Sequence, residues 1–240
     1  MPIKNRGFGF GVFSQSKDKK GSSLGDMRFE QCGKAYRFAR AGAADIPAGR
    51  FVVGVTNQAA HQNEAILAAV PVGTYALSVT VTAGTAIVAN ELENGEFLIN
   101  DGAGEGHSYE IDSNTAISAS GTVVYLTLKR PIKVALDTTS EFTLVRNPMY
   151  GLVQSATQTL PLGGITPIAV TANYYFWVQT KGMAPGYCTT TVPVIGQEFA
   201  QEGVAGGITV STSSDTIPDL GQCLIAAAAT EYSALWLNMD

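Results

Sequence analysis

The amino-acid sequence predicts an all-β protein, a sandwich or barrel of many short antiparallel strands with an extended N-terminal arm and very little helix. Runs rich in β-branched and aromatic residues recur about every ten to fifteen residues. Gly, Pro, Asn or Asp separate these runs, which is the rhythm of sandwiches and barrels. Some runs also alternate apolar and polar residues, as half-buried strands do. With 240 residues, 45% of them hydrophobic, the chain can bury a real core.

Nine segments carry the strand signal: residues 51–55, 76–82, 96–100, 108–111, 123–128, 141–145, 168–170, 174–180 and 232–238. The segment 174–180 is bulky and apolar on both alternating faces, so it predicts a central strand covered on both sides. Residues 63–70 instead predict a helix of about two turns, with Asn63 as its N-cap.

A short apolar-Pro-x-Gly motif recurs along the chain and predicts tight turns into strands. Proline presets φ for the turn, and glycine allows the exit into the strand. The motif occurs three times, as Ile46-Pro47-Ala48-Gly49, Val70-Pro71-Val72-Gly73 and Leu160-Pro161-Leu162-Gly163. The unequal intervals argue against a solenoid repeat.

Charge divides the chain unevenly, because residues 1–50 hold ten of the fifteen Lys and Arg but four of the twenty acids. Residues 1–25 therefore predict an extended, basic, Phe- and Gly-rich arm. A weak boundary at Asn147 suggests a first β-module over residues 26–146 and a second over 147–240. A single continuous β domain over 26–240 is the alternative.

The arm is predicted to bind an acidic partner surface. Such a partner would bury the phenylalanine rings away from water, and its acidic residues would pair with the lysines and arginines of the arm. A partly disordered, solvated leader is the alternative. Direct nucleic-acid binding is not expected, since the acidic remainder of the chain would repel phosphate. The predicted interface residues are Arg6, Phe8, Phe10, Phe13, Lys17, Lys19 and Lys20 of the arm, with Tyr175 and Trp177 of the aromatic strand.

No catalytic, cofactor or metal site is predicted, and the chain is not expected to be an enzyme. The glycine-rich run that holds Asp101, Glu105 and His107 is typical of a hairpin loop, with metal binding as the alternative. The carboxylates of Glu91, Glu93 and Glu96 lie in a turn-like run that predicts ordinary solvated acids.

The three cysteines, Cys32, Cys188 and Cys223, show no zinc or redox spacing and are expected to be small buried thiols. No run approaches the roughly 20 apolar residues of a membrane helix, so no membrane association is expected. The first eight residues lack the apolar core of a signal peptide, which predicts action in the compartment of synthesis or release by lysis.

Several short motifs together resemble a family of proteins. They are Gly25-Asp26-Met27-Arg28-Phe29, Arg40-Ala41-Gly42-Ala43, Pro71-Val72-Gly73-Thr74, Asn100-Asp101-Gly102 with Gly106 and Tyr109, Asn147-Pro148-x-Tyr150, and the run from Tyr174 to Gly182. From about residue 25 to its end, the chain resembles the capsid decoration, or cement, proteins of tailed bacteriophages, of the type seen in cyanophages and other aquatic phages. These motifs are structural, so they carry over no functional residue.

The resemblance implies a virion protein, made in the host cytoplasm, that binds the capsid exterior between capsomers and stabilises the head. Its expected partners are the major capsid protein and copies of itself, as a homotrimer. The alternative is a carbohydrate-binding or adhesion β-module of a phage neck or tail, contacting glycans through an aromatic face and the Asp101 and Glu105 loop. A hydrolase is disfavoured because the sequence shows no recognisable catalytic triad.

Overall fold

A computed structural model describes residues 9–30, 32–156, 160–189, 191–202, 205–211 and 219–239. These residues form seventeen strands and one short 3₁₀ turn, Ala59–His61, which confirms the predicted all-β class. The chain divides into two compact units. Thr56–Asn147 is here called the inserted unit, and Met1–Val55 with Pro148–Asp240 is called the main unit.

The unit boundaries differ in one respect from the modules that the sequence suggested. The predicted boundary at Asn147 coincides with the end of the inserted unit. Residues 26–55, however, belong with the C-terminal part of the chain, because strands from both segments pair in one sheet. Such long-range pairing leaves no local signal in the sequence.

The main unit is built on an eleven-stranded sheet. Its path runs β11-β3-β13-β17-β16-β14-β15, with β1, β2, β4 and β12 paired alongside. All its strand pairs are antiparallel except that of β3 with β11. The strands are β1 (Gln15–Ser16), β2 (Met27–Phe29), β3 (Ala35–Ala41), β4 (Phe51–Val53), β11 (Tyr150–Leu152), β12 (Leu162–Ile165), β13 (Tyr175–Tyr187), β14 (Glu198–Gln201), β15 (Ile208–Val210), β16 (Gly221–Ile225) and β17 (Tyr232–Asn238).

Strand β13 is the long central strand of this sheet, and its prediction as a covered central strand is confirmed. It pairs with β3 along one side and β17 along the other, and with β1 and β12. Phe176, Trp177 and Val178 are each 0% exposed although alternation turns them to both faces. Each fully buried side chain of this size contributes about 1.5–3 kcal/mol through removal of apolar surface from water.

The described part of the N-terminal arm packs against the main unit. Strand β1 pairs with the start of β13, with Gln15 opposite Phe176. Val12 and Leu24 are buried in the same core as Trp177, whose indole N–H donates to the Phe10 carbonyl at 3.3 Å. Residues 9–25 are therefore an integral part of this core.

The inserted unit has a six-stranded sheet in the order β5-β10-β7-β8-β9-β6, with all its pairs antiparallel. One apolar cluster, with Phe97, Ile99, Ile111 and Phe142 at 0% exposure, forms its core. The strands are β5 (Glu64–Ala65), β6 (Ala76–Thr80), β7 (Glu96–Asp101), β8 (Ser108–Asn114), β9 (Val123–Leu128) and β10 (Glu141–Val145).

The predicted helix over residues 63–70 is wrong. Glu64–Ala65 form β5 and pair with β10, and the Ile66 N–H donates to the Ser140 carbonyl. Asn63 has φ of 54°, which is not the backbone of an N-cap. Pairing with a strand about 75 residues away satisfies these backbone groups, so local helix propensity is overridden.

Pairs of aliphatic residues, all buried except the partly buried Ile117, bridge segments that are distant in the sequence in both units. Each of three pairs forms an isolated antiparallel bridge in which both backbone N–H groups donate to the partner's carbonyl. These reciprocal bridges satisfy backbone groups that would be costly to bury unpaired. The pairs are Ile46 with Val170, Val70 with Leu136, and Ile87 with Ile117.

Two of the predicted apolar-Pro-x-Gly turns are confirmed at these bridges. Gly49 and Gly73, at φ of 69° and 92°, supply the left-handed residue of the turn. The third prediction is wrong, because Gly163 lies inside β12, where a Cβ would approach the Val52 carbonyl oxygen to 2.7 Å. The predicted strand over 168–170 reduces to the single bridge residue Val170.

Gly164 should be the more sensitive of two glycines with positive φ. Its φ is 142° and a Cβ would overlap the Gln179 carbonyl oxygen of β13, whereas Gly196, with φ of 83°, faces open space. We expect Gly164→Ala to lower the free energy of unfolding by about 3 kcal/mol or more, and Gly196→Ala by about 1 kcal/mol. Urea unfolding followed by tryptophan fluorescence tests this, because both tryptophans lie in the main unit. Equal losses for the two variants would contradict the steric argument.

Candidate functional site

Four exposed side chains form a row across neighbouring strands of the main unit. Glu198 of β14 lies opposite Gln222 of β16, Gln222 opposite Trp236 of β17, and Trp236 opposite Met183 of β13. Trp236 is 43% exposed and Met183 52% exposed. Here this set is called the Trp236 row.

Strand alternation holds the Trp236 row on the outer face of the sheet. Leu235 and Leu237, on either side of Trp236, are both fully buried in the core beneath. Seven register pairs with β13 fix β17 along its length. The indole is therefore presented by a strand whose own position is set by packing and by two hydrogen-bonded neighbours.

Two grooves flank Trp236, and their linings differ in chemistry. On one side lies a groove of about 390 Å³ with carboxylate and amide side chains. Its lining comprises Glu198, Asp219, Gly221, Gln222, Trp236 and Asn238. On the Met183 side, a groove of about 340 Å³ has a more apolar lining, namely Lys34, Met183, Ala184, Pro185, Tyr232, Ser233 and Ala234.

The arm carries a second surface, here called the arm surface, which consists of the exposed Phe13, Lys17 and Lys20 and the half-buried Lys19. Phe13 is 66% exposed, although the neighbouring Val12 is buried. The Lys17 ammonium lies 5.8 Å from the centre of the Tyr174 ring, and that of Lys20 lies 3.8 Å from the Asp18 carboxylate. An exposed aromatic among lysines suits an apolar pocket rimmed by acids.

The structure places three of the other predicted interface residues within the main unit. Trp177 is fully buried, and the partly buried Phe10 packs on Phe38 at a ring-centre distance of 5.7 Å. Tyr175 is partly buried and stacked on Phe38, also at 5.7 Å. These aromatic residues lie in one cluster because the arm packs back against β13. Arg6 and Phe8 lie outside the described residues.

The glycine-rich loop between residues 101 and 107 is a hairpin connection, as predicted. Strands β7 and β8 pair directly, with Phe97 opposite Tyr109. Gly102, Gly104 and Gly106 all have positive φ, which lets the chain reverse. The His107 ring nitrogen Nδ1 lies 3.1 Å from the Gly104 carbonyl, a contact local to the turn.

Glu91 differs from the prediction of solvated acids, because it is 7% exposed. Its carboxylate accepts a hydrogen bond from the Val88 N–H at 2.7 Å and pairs with the Arg146 guanidinium at 2.8 Å. Both side chains of this ion pair are about nine-tenths buried. A buried carboxylate needs such partners, and Arg146, 55 residues away, gives no sequence signal of the pairing.

His61 is buried in the inserted unit, and its Nε2 atom has no hydrogen-bond partner. Burial, followed by the positive charge of Arg146, lowers the pKa of His61 below its ordinary value, against the opposing effect of Glu91 and Glu64. The imidazole is thus held neutral. We assign the cluster of His61, Glu91 and Arg146 a structural role, since all three side chains are largely buried and Glu91 and Arg146 form an ion pair.

The cysteine prediction is confirmed for two residues and wrong for one. Cys188 and Cys223 are buried free thiols, and each lies in the apolar core beneath the Trp236 row. Burial raises the pKa of the Cys223 thiol, which keeps it protonated. Cys32 is exposed, because it lies in the turn between β2 and β3.

The Trp236 row was missed by sequence reasoning. The alternation of residues 232–238 places Trp236 and Asn238 on the face opposite Leu235 and Leu237, and this signal could have identified an outward-facing indole. The pairing with Gln222 and Glu198 depends on register between strands, which the sequence does not show.

Within the described ranges, no group of three or more His, Cys, Asp and Glu side chains could hold a metal ion. No helix among the described residues is long and apolar enough to cross a membrane. Comparisons with protein-family models, with curated proteins and with solved structures find no match for this chain. The resemblance to phage decoration proteins therefore stays a prediction from the sequence.

The inserted unit should lose stability as the pH falls below about 6.5. The pKa of His61 is lower in the folded chain than in the unfolded chain, so between these two values the unfolded chain binds more protons. Hydrogen exchange of core amides in the inserted unit, such as those of Phe97 and Phe142, should therefore speed up between pH 7.5 and 5.5 after correction for intrinsic rates.

His61→Gln should remove most of this pH dependence, because the variant carries no titratable imidazole. Tryptophan fluorescence of the main unit serves as an internal control, since both tryptophans lie there. If His61→Gln shows the same acceleration at pH 5.5 as the natural chain, another group is responsible.

Proposed function

We propose that this chain is a virion structural protein that binds the outer surface of a tailed-phage capsid between capsomers and stabilises the head. The arm surface is the observation that carries this proposal. The exposed side chains of Phe13, Lys17 and Lys20 lie on a segment that Val12 and β1 anchor to the main unit. The resemblance to decoration proteins, stated from the sequence, supports the choice of partner.

The anchoring of the arm bears directly on how it would bind. A free peptide loses conformational entropy when it docks, whereas an arm already held in place loses less. Phe13 can then bury its ring in a pocket of the major capsid protein, while the lysines pair with acidic rim residues. Repetition over a lattice adds avidity to an individually modest contact.

The low fraction of charged residues agrees with a protein whose surface is partly covered by neighbouring subunits. Charged residues make up 15% of the chain, below the roughly 25% typical of globular domains. Exposed large hydrophobic residues occur in both units, for example Phe29 and Leu67 at 55% and 68% exposure. We propose that some of this surface is covered by self-association, as a homotrimer, on the capsid exterior.

Deletion of residues 1–25 is a poor test of the arm. Val12 and Leu24 are core residues and β1 pairs with β13, so the deletion would remove part of the core of the main unit. Truncation would expose Phe38 and Trp177, so loss of binding would follow from unfolding. Substitutions of exposed side chains are the appropriate test.

Phe13→Ser should weaken binding to heads assembled from the major capsid protein alone by at least tenfold, because removal of an interface aromatic costs about 2 kcal/mol. Replacing Lys17, Lys19 and Lys20 together by Gln should weaken binding at low salt and reduce its salt dependence. Co-sedimentation with heads at two ionic strengths measures both effects.

Tyr125→Ser is the matched control, because Tyr125 is equally exposed but lies in the inserted unit. Unchanged tryptophan fluorescence would show that the main unit of each arm variant is folded. Capsid decoration by the Phe13→Ser and triple-lysine variants at the level of the natural chain would refute the arm as the tether.

A second candidate function, carbohydrate binding, is favoured by the Trp236 row. Asp101 and Glu105, the predicted glycan contacts, lie instead in the hairpin loop of the inserted unit. The two functions use different surfaces of the main unit and can be separated by variants.

A further inference from the structure

We propose that the Trp236 row binds a neutral polysaccharide. The proposal goes beyond capsid binding and does not depend on it. It assigns a ligand class to the groove of about 390 Å³ beside Trp236, whose polar lining is Glu198, Asp219, Gln222 and Asn238.

The length of the row suits an extended ligand. Neighbouring strands are about 4.8 Å apart, so the three steps from Glu198 to Met183 span roughly 14 Å. The row crosses the strands at a single register level, because each member lies directly opposite the next. A chain of a few linked sugar rings can lie along such a line and contact every member.

The chemistry of the side chains matches that of a sugar ring. A pyranose has apolar C–H faces, which can stack on the exposed indole of Trp236. Its hydroxyls both donate and accept hydrogen bonds. The amides of Gln222 and Asn238 provide both functions, and the carboxylates of Glu198 and Asp219 accept from hydroxyl donors.

Charge selects among glycans. The lining of this groove includes two acids, Glu198 and Asp219. The Asp219 carboxylate also accepts a hydrogen bond from the Ser211 hydroxyl. A uronic acid or sulfated sugar would meet like charge there, so uncharged sugars are preferred. The same acids argue against a protein partner, since the centres of protein interfaces are depleted of Asp and Glu.

The backbone that carries Trp236 is held by hydrogen-bonded strands on both sides. Trp236 lies within β17 between two paired strands, with buried Leu235 and Leu237 fixing its neighbours. Little backbone ordering is then required on binding, which favours affinity from a small contact area. The indole itself has only two side-chain torsions to restrict.

The experiment titrates the full chain with dextran, galactomannan and a mixed-linkage β-glucan, with alginate as the acidic comparison. Binding should change the emission of the exposed Trp236, while the fully buried Trp177 gives a constant background. We expect binding to at least one of the neutral polysaccharides, and at least tenfold weaker binding to alginate. Calorimetry provides a readout independent of fluorescence.

Trp236→Ala should weaken that binding at least tenfold, Gln222→Ala severalfold, and Trp236→Phe less than Trp236→Ala. Tyr125→Ala, an exposed aromatic of the inserted unit, should leave it unchanged. No binding to any of the three neutral polysaccharides, or equal binding by Trp236→Ala and the natural chain, would overturn the proposal.

The same variants separate this site from the capsid proposal. Trp236→Ala should decorate heads as the natural chain does, and Phe13→Ser should bind polysaccharide as the natural chain does. If Trp236→Ala instead loses head binding or self-association and polysaccharide binding is absent, the Trp236 row is a protein interface, and the glycan assignment is wrong.

Discussion

The two-sided hydrogen-bonded ladder of strand β13 is the constraint on which the main unit depends. β13 pairs with β3 on one side and β17 on the other, and its environment changes along its length. From Phe176 to Thr180 every side chain is buried, whereas beyond Gly182, with φ of 84°, burial alternates and one face is open. The register with β3 shifts at the same point, between Gln179 and Lys181. A local irregularity of this kind lets one strand serve two environments. The covered half receives the arm, and the open half presents Met183 beside Trp236.

Long-range backbone pairing also explains how the chain accommodates a whole unit between two halves of another. Strands before residue 56 and after residue 147 share one sheet, and reciprocal bridges such as that between Ile46 and Val170 join their entries. The inserted unit has two such bridges, between Val70 and Leu136 and between Ile87 and Ile117. Each bridge pairs two backbone donors with two backbone acceptors, and its aliphatic side chains pack in or against an apolar core. The left-handed residue that follows some of these bridges turns the chain directly into the next strand. Insertion therefore adds a core of its own without interrupting the pairing of the main sheet.

In the described part of the chain, chemistry-bearing side chains are divided between structural and surface roles. Glu91 and Arg146 neutralise each other in the inserted unit, and His61 is held neutral beside them. This cluster lies buried in the inserted unit, where its ion pair joins segments that are far apart in the chain. The exposed groups with recognition chemistry are the arm surface, around Phe13, and the Trp236 row. One combines apolar area with positive charge and the other combines an indole with amides and carboxylates. That difference is the physical basis for assigning them different ligands.

The sequence by itself determined the all-β class, most of the strongly apolar strands, the two proline–glycine turns and the central place of the aromatic strand. These features depend on local pattern: alternation, β-branched residues, and the φ preferences of Pro and Gly. Only the tertiary structure decided that Glu64 pairs in a strand, that Glu91 is buried against Arg146, and that the arm packs on its own core. It also decided the row that sets Gln222 beside Trp236. These depend on register and on contacts between residues far apart in the chain, and a one-residue slip would reverse every face. Local propensity does not contain that information.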